Sequence, residues 1–232
     1  MKEMYHYYYD ESIQRNRSDE NKHQEDEKLR QMNRIKELIK ERLRNPSPTP
    51  DTFISTNQYQ LTYEEILLKW NHLTSSEIIF DSDEQELTTK NVWRSLRGRK
   101  NIAIVIVSDS GWVFGSFNGI IPYKQSHIVS KDYSHFLFTL KNPFEVPPTR
   151  FKQNVRNENQ LIIHRDNQNS WIFGIGYGFH IRDDGKSYIG SASGEQLNRG
   201  YIDTIGLNSL IFNETSYPTY FSFERIIFLQ FN

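Results

Sequence analysis

The chain has 232 residues and a formal net charge of -1, with 36% hydrophobic and 14% aromatic residues. It has no cysteine, which excludes disulfides, thiolate zinc sites and a thiol nucleophile, and its near-neutral charge excludes a uniformly basic nucleic-acid binder. The low apolar fraction set against 15 Phe and 13 Tyr points to an uneven distribution: a polar arm and an aromatic-rich globule.

Residues 1–16 lack periodicity and read as a flexible N-terminus, despite Tyr5, Tyr7, Tyr8 and Tyr9. Residues 17–45 are dense in Glu, Lys, Arg and Gln and free of Gly, with Leu29, Met32, Ile35, Ile39 and Leu43 at helical steps. This predicts a charged helix that either forms a short coiled coil or docks its stripe on its own domain. A stripe of about two heptads favours docking, since a coiled coil wants three or four. Pro46, Pro48 and Pro50 end it and open a linker over 46–60. The second part, 61–232, starts with a capping box, Thr62 with Glu65, ahead of Ile66, Leu67, Trp70 and Leu73. A further helix is expected from Thr88 or Thr89, burying Val92, Trp93 and Leu96 and stopping at Gly98.

From Asn101 the period becomes that of strands. Ile102–Val107 reads as a strand buried on both faces, Ser108–Gly111 as a turn, and Trp112–Phe117 as the returning strand. Further strands are read at 135–140, 161–164, 171–174, 179–181 and 187–189, with Asp184-Gly185 the pair that a tight type I′ hairpin wants. The last run, 221–231, has the alternation of a strand buried mainly on one side, with Phe221, Phe223, Ile227, Leu229 and Phe231 on that face. Many strands joined by hairpins, with few helices, predict an α+β antiparallel two-sheet β-sandwich with flanking helices.

The ordered blocks in this second part resemble the TLDc family of oxidation-resistance-like proteins. Ile78–Asp83 is similar to the opening of the domain in protist members. Gly111-Trp112-Val113-Phe114-Gly115-Ser116-Phe117 resembles the family's aromatic Phe-Gly hairpin, Phe136-Leu137-Phe138 its next block, and Phe173-Gly174-Ile175-Gly176 its second Phe-Gly block. Gly178 and Ile227 stand where the family often carries acidic residues. The resemblance implies two antiparallel sheets, protection against oxidative damage, and a protein partner, with the vacuolar-type proton pump as the candidate. It implies no shared catalytic mechanism.

Read for chemistry on their own, the residues supply little. Asp81–Glu86 fails as a calcium loop, because Glu86 and Val92 stand where Gly and Glu are needed, and it reads as a solvated acidic loop. His164 with Asp166 and His180 with Asp183 pair an imidazole with a nearby acid, but read more simply as strand-end histidines. Gly174–Gly178 lacks the third glycine and the βαβ frame of a dinucleotide loop, and Gly190–Gly194 has Ala192 where a nucleophile would stand. Arg94, Arg97, Arg99 and Lys100 form a basic patch for an acidic partner or phosphates. The expectations are therefore a non-enzymatic interaction module without cofactor or metal, a nucleic-acid-binding regulator of stress genes as the alternative, and an oxidant-consuming enzyme last. No apolar run is long enough to span a bilayer, so a cytoplasmic or nuclear location is expected, with self-association through the N-terminal helix a further option.

Overall fold

The computed structural model describes residues 61–154, 159–166, 170–190 and 197–232, together with Arg30, Asn33 and Glu37. The chain divides into two compact units, 1–55 and 56–232. In the first, the three described residues are helical and exposed. The expected loose terminus, the rest of the charged helix with its apolar stripe, and the proline linker lie outside the described residues, as does the glycine-serine segment 191–194.

The second unit runs in order through α1 (Tyr63–Asn71), β1 (Ser76–Asp81), α2 (Thr89–Leu96), β2 (Lys100–Ser108), β3 (Val113–Ile120), β4 (Phe136–Lys141), β5 (Thr149–Lys152), β6 (Leu161–Ile163), β7 (Trp171–Ile175), β8 (Phe179–Arg182), β9 (Tyr188–Ile189), a 3₁₀ turn (Leu197–Arg199), α3 (Leu210–Asn213) and β10 (Phe223–Phe231). Two antiparallel sheets result, one in the order β1-β10-β2-β3-β4-β5 and the other β6-β7-β8-β9. This is the expected α+β sandwich.

Alternation along β2 decides what each layer touches. Its even positions lie beside Phe114 and Phe228, and these rings meet Phe179 and Phe173 of the second sheet at centroid distances of 5.8 Å each. Ala103 and Val105 face the other way and join Val113, Phe117, Phe136 and Phe138 in a cluster closed by Ile66 and Leu67 of α1. That helix is set by its capping box: Thr62 Oγ1 accepts from the Glu65 amide (3.2 Å) while the Thr62 amide donates to the Glu65 carboxylate (2.6 Å). Gly115 sits where β3 passes between layers, and a Cβ there would stand 1.9 Å from the Ile104 carbonyl oxygen and 2.8 Å from the Phe138 ring.

Four expectations need correction. Strand β10 is not buried on one side. The second sheet covers the face of Ile226 and Phe228, which are fully buried, while Ile227 and Leu229 pack against the α1 cluster on the opposite face. The β8–β9 connection is not a two-residue type I′ turn, since only Gly185 takes a positive φ (74°). The Asp184 carboxylate instead accepts from the Lys186 amide (3.1 Å) and from the Arg182 guanidinium, which opens a longer loop. Trp93 is half-buried, because α2 turns only Val92 and Leu96 fully inward. Asp81 is not part of a solvated loop. It is buried, and its carboxylate is held by the Arg225 guanidinium, with Nε at 2.9 Å.

Candidate functional site

The residues that the sequence singled out divide into scaffold and surface. Gly111 takes a left-handed φ of 75° in the β2–β3 turn, where its amide donates to the Ser108 carbonyl (2.7 Å). Trp112 lies beneath the Lys141 ammonium, 5.8 Å from the ring centroid. Phe114, Phe117, Phe136, Phe138 and Phe173 are buried, with Phe117 stacked on Phe136 at 5.4 Å. Gly174 makes room for the His180 ring, whose Nδ1 would lie 2.4 Å from a Cβ, and Gly176 lets the Asn159 carbonyl approach to 2.0 Å of the same position. These motif residues build the sandwich.

The basic segment is on the surface. Arg94, Arg97, Arg99 and Lys100 are all exposed. Arg99 is engaged within the fold, donating to Gln230 and lying 3.6 Å from Glu77.

The histidine–acid pairs do not form couples in the way their spacing allowed. Asp166 accepts from Thr89 Oγ1 (2.9 Å) and Gln125 Nε2 (3.2 Å). His164 and His180 instead share Trp171, with ring centroids at 5.4 and 5.7 Å. His180 also stacks on Tyr188 (4.8 Å), and its covered Nδ1 has no hydrogen-bond partner. Burial pushes its pKa down to about 4, and the neighbouring His164 adds to this. Among the described residues no group of three His, Cys, Asp or Glu is placed to hold a metal ion.

A region that sequence reasoning passed over carries the most distinctive surface. The connection between β3 and β4, residues 121–135, crosses to the edge of the second sheet. There Ser126 and Val129 donate to the carbonyls of Ile163 (2.7 Å) and Leu161 (2.9 Å), and the Gln160 amide donates back to Val129 (3.0 Å). Its return is tied by Asp132, which is buried. The carboxylate accepts from the amides of Ile120 (2.9 Å) and Ser134 (3.1 Å) and from the Ser134 hydroxyl (2.6 Å), while the Asp132 amide donates to Gln160 Oε1 (2.9 Å). His135 continues this network inward. The Asn118 amide nitrogen is committed to Ser116 Oγ (3.0 Å), so Asn118 Oδ1 accepts from His135 Nδ1 (3.1 Å) and Tyr201 donates to Nε2 (2.7 Å). Burial lowers the His135 pKa to about 4 against the opposing charge of Asp132, so the ring is neutral.

The consequence lies outside. With the backbone pinned, Tyr123 is 70% exposed and Tyr133 86%, alongside Ile120 and Ile128, which are also exposed. Composition gives the aromatic count but not which rings face water. The signal that was available is the alternation Lys131, Asp132, Tyr133, in which one polar residue tucks inward between two that point out.

Beside Tyr133 opens a cleft of about 700 Å³ beyond the C-terminal end of α1, lined in part by Trp70, His72, Lys131, Arg150 and Lys152.

In comparison with protein families, the TLDc domain matches residues 48–215. No curated protein matches the chain. The matched span stops short of β10, the strand that joins β1 to β2 in the six-stranded sheet.

Proposed function

Since this chain belongs to the TLDc domain family, an oxidative-stress-related family of protein-interaction modules, we propose that it acts without catalysis, protecting against oxidative stress by binding the vacuolar-type proton pump. The observation that supports this reading is the surface of the 121–135 connection, where aromatic side chains stand in water on a backbone held from both sides. Exposed aromatic rings on a rigid support are what protein interfaces use as anchors, each worth ~2 kcal/mol or more when buried by a partner. A pinned loop also avoids much of the ordering loss that binding imposes, roughly 0.5–1.5 kcal/mol for each immobilised side chain. No helix among the described residues is long and apolar enough to cross a membrane. In this reading the contact is made between this surface and the pump's water-facing part.

The test is direct binding of the purified chain to the pump's purified water-facing subcomplex. Saturable binding that falls at least tenfold in a Tyr123→Ala/Tyr133→Ala variant supports the reading. Absence of binding removes the pump as the partner.

Arg94, Arg97 and Lys100, exposed at one helix end, favour nucleic-acid binding as the second reading. It requires binding that weakens steeply with salt and is lost in an Arg94→Ala/Arg97→Ala/Arg99→Ala variant.

A further inference from the structure

We propose that the cleft beyond the end of α1 binds a small organic phosphate. The cleft's size, about 700 Å³, falls within the ~300–1,000 Å³ of small-molecule sites and exceeds what a bare inorganic ion fills. Its lining brings together cations from separate elements: Lys131 from the β3–β4 connection, and Arg150 and Lys152 two apart on β5. Among the described residues that line it, none is a carboxylate. Lys131 and Lys152, lining the cleft from two elements with Arg150 beside them, suit a multiply charged anion better than a single carboxylate.

The rest of the lining suits an organic body. Trp70 and Tyr133 offer aromatic surface, and Asn101 offers an amide group that can donate and accept. The C-terminal end of α1, where helix carbonyls concentrate negative charge, opposes an anion. That end is already answered: Arg150 Nη1 donates to the Trp70 carbonyl (3.0 Å) and Asn71 Nδ2 to the Leu67 carbonyl (2.9 Å).

The backbone of the rim is also set in unusual conformations. His72, Asn101 and Lys131 line the cleft with φ of 55°, 56° and 62°. Non-glycine residues rarely adopt these values, and they persist where surrounding contacts hold them. For Lys131 the holding contact is the next residue, Asp132, whose carboxylate is turned inward onto the Ile120 amide. The chain thereby presents Lys131 and Tyr133 on the same outward side.

The experiment titrates the full purified chain with phenyl phosphate and with inorganic phosphate, read by calorimetry, without any protein partner. Its outcome is thus independent of whether the pump is bound. The expected result is saturable one-to-one binding of phenyl phosphate, at least tenfold tighter than inorganic phosphate. A Lys131→Asn/Lys152→Gln variant should lose at least tenfold, because both side chains are exposed and asparagine tolerates the left-handed backbone. An Arg94→Gln/Arg97→Gln variant, which removes the same charge elsewhere, should bind as the parent does. Three results would overturn the proposal: no saturable binding by the parent chain, equal loss in both double variants, or inorganic phosphate binding as tightly as phenyl phosphate.

Discussion

Arg94 and Arg97 reach water from the end of a short helix that buries only Val92 and Leu96, and other polar residues there would leave those contacts intact. Tyr123 and Tyr133 reach water from a connection whose polar groups are spent on holding it in place. The first region is charge added to a scaffold; the second is a surface built by a buried network. A basic cluster is therefore cheap to place and weak as evidence of function, whereas large exposed rings on a pinned backbone need a reason.

If that contrast is right, the two regions should respond differently to substitution. The largest effect of a single substitution is expected from Asp132→Ala, which removes the acceptor shared by the Ile120 and Ser134 amides. Leaving such donors without partners should destabilise the chain by about 3 kcal/mol or more, measured by denaturant unfolding. Partner binding should weaken with it.

Next comes acid. His135 and His180 each have a folded pKa of about 4 against an ordinary 6.5. The unfolded chain therefore binds more protons than the folded one between those values, and stability rises with pH across the window. It is fully present above pH 6.5 and falls by about 3 kcal/mol for each histidine as the pH drops to 4. His135→Gln and His180→Gln should each remove about half of that slope in unfolding measured from pH 7 to 4. Asp81, held low by Arg225, adds its own loss only as the pH falls below the usual carboxylate range.

Tyr123→Ala/Tyr133→Ala should shift stability by no more than about 0.5 kcal/mol, since the rings are exposed, yet reduce partner binding by at least about 2 kcal/mol. Arg99→Ala, which breaks exposed contacts with Glu77 and Gln230, should change stability by less than about 1 kcal/mol and leave partner binding within about twofold.

Much of the fold was legible because local chemistry and tertiary demand agree. The capping box at Thr62, the β-branched run of β2 and the glycine at 111 each state a backbone conformation that the sandwich uses. Strand β10 differs from its expected one-sided burial because the second sheet covers one face and the α1 cluster packs on the other, and the layers above and below a strand are not written in its own alternation. The Asp81–Arg225 pair joins residues distant in sequence, so an acidic run looked solvated. The candidate site was least legible. Tyr133 and Phe136 are three residues apart and similar in chemistry, and only the inward turn of Asp132 and the stacking of Phe136 on Phe117 send one ring to water and the other to the core.

In the proposed reading the 121–135 surface, not the basic segment, carries the partner contact. It is tested most directly by measuring the affinity of the proton pump's water-facing subcomplex for two variants side by side, Tyr123→Ala/Tyr133→Ala and Arg94→Ala/Arg97→Ala/Arg99→Ala. At least a tenfold loss is expected for the first and a change within about twofold for the second. Loss confined to the arginine variant, with the tyrosine variant binding as the parent chain does, would contradict it.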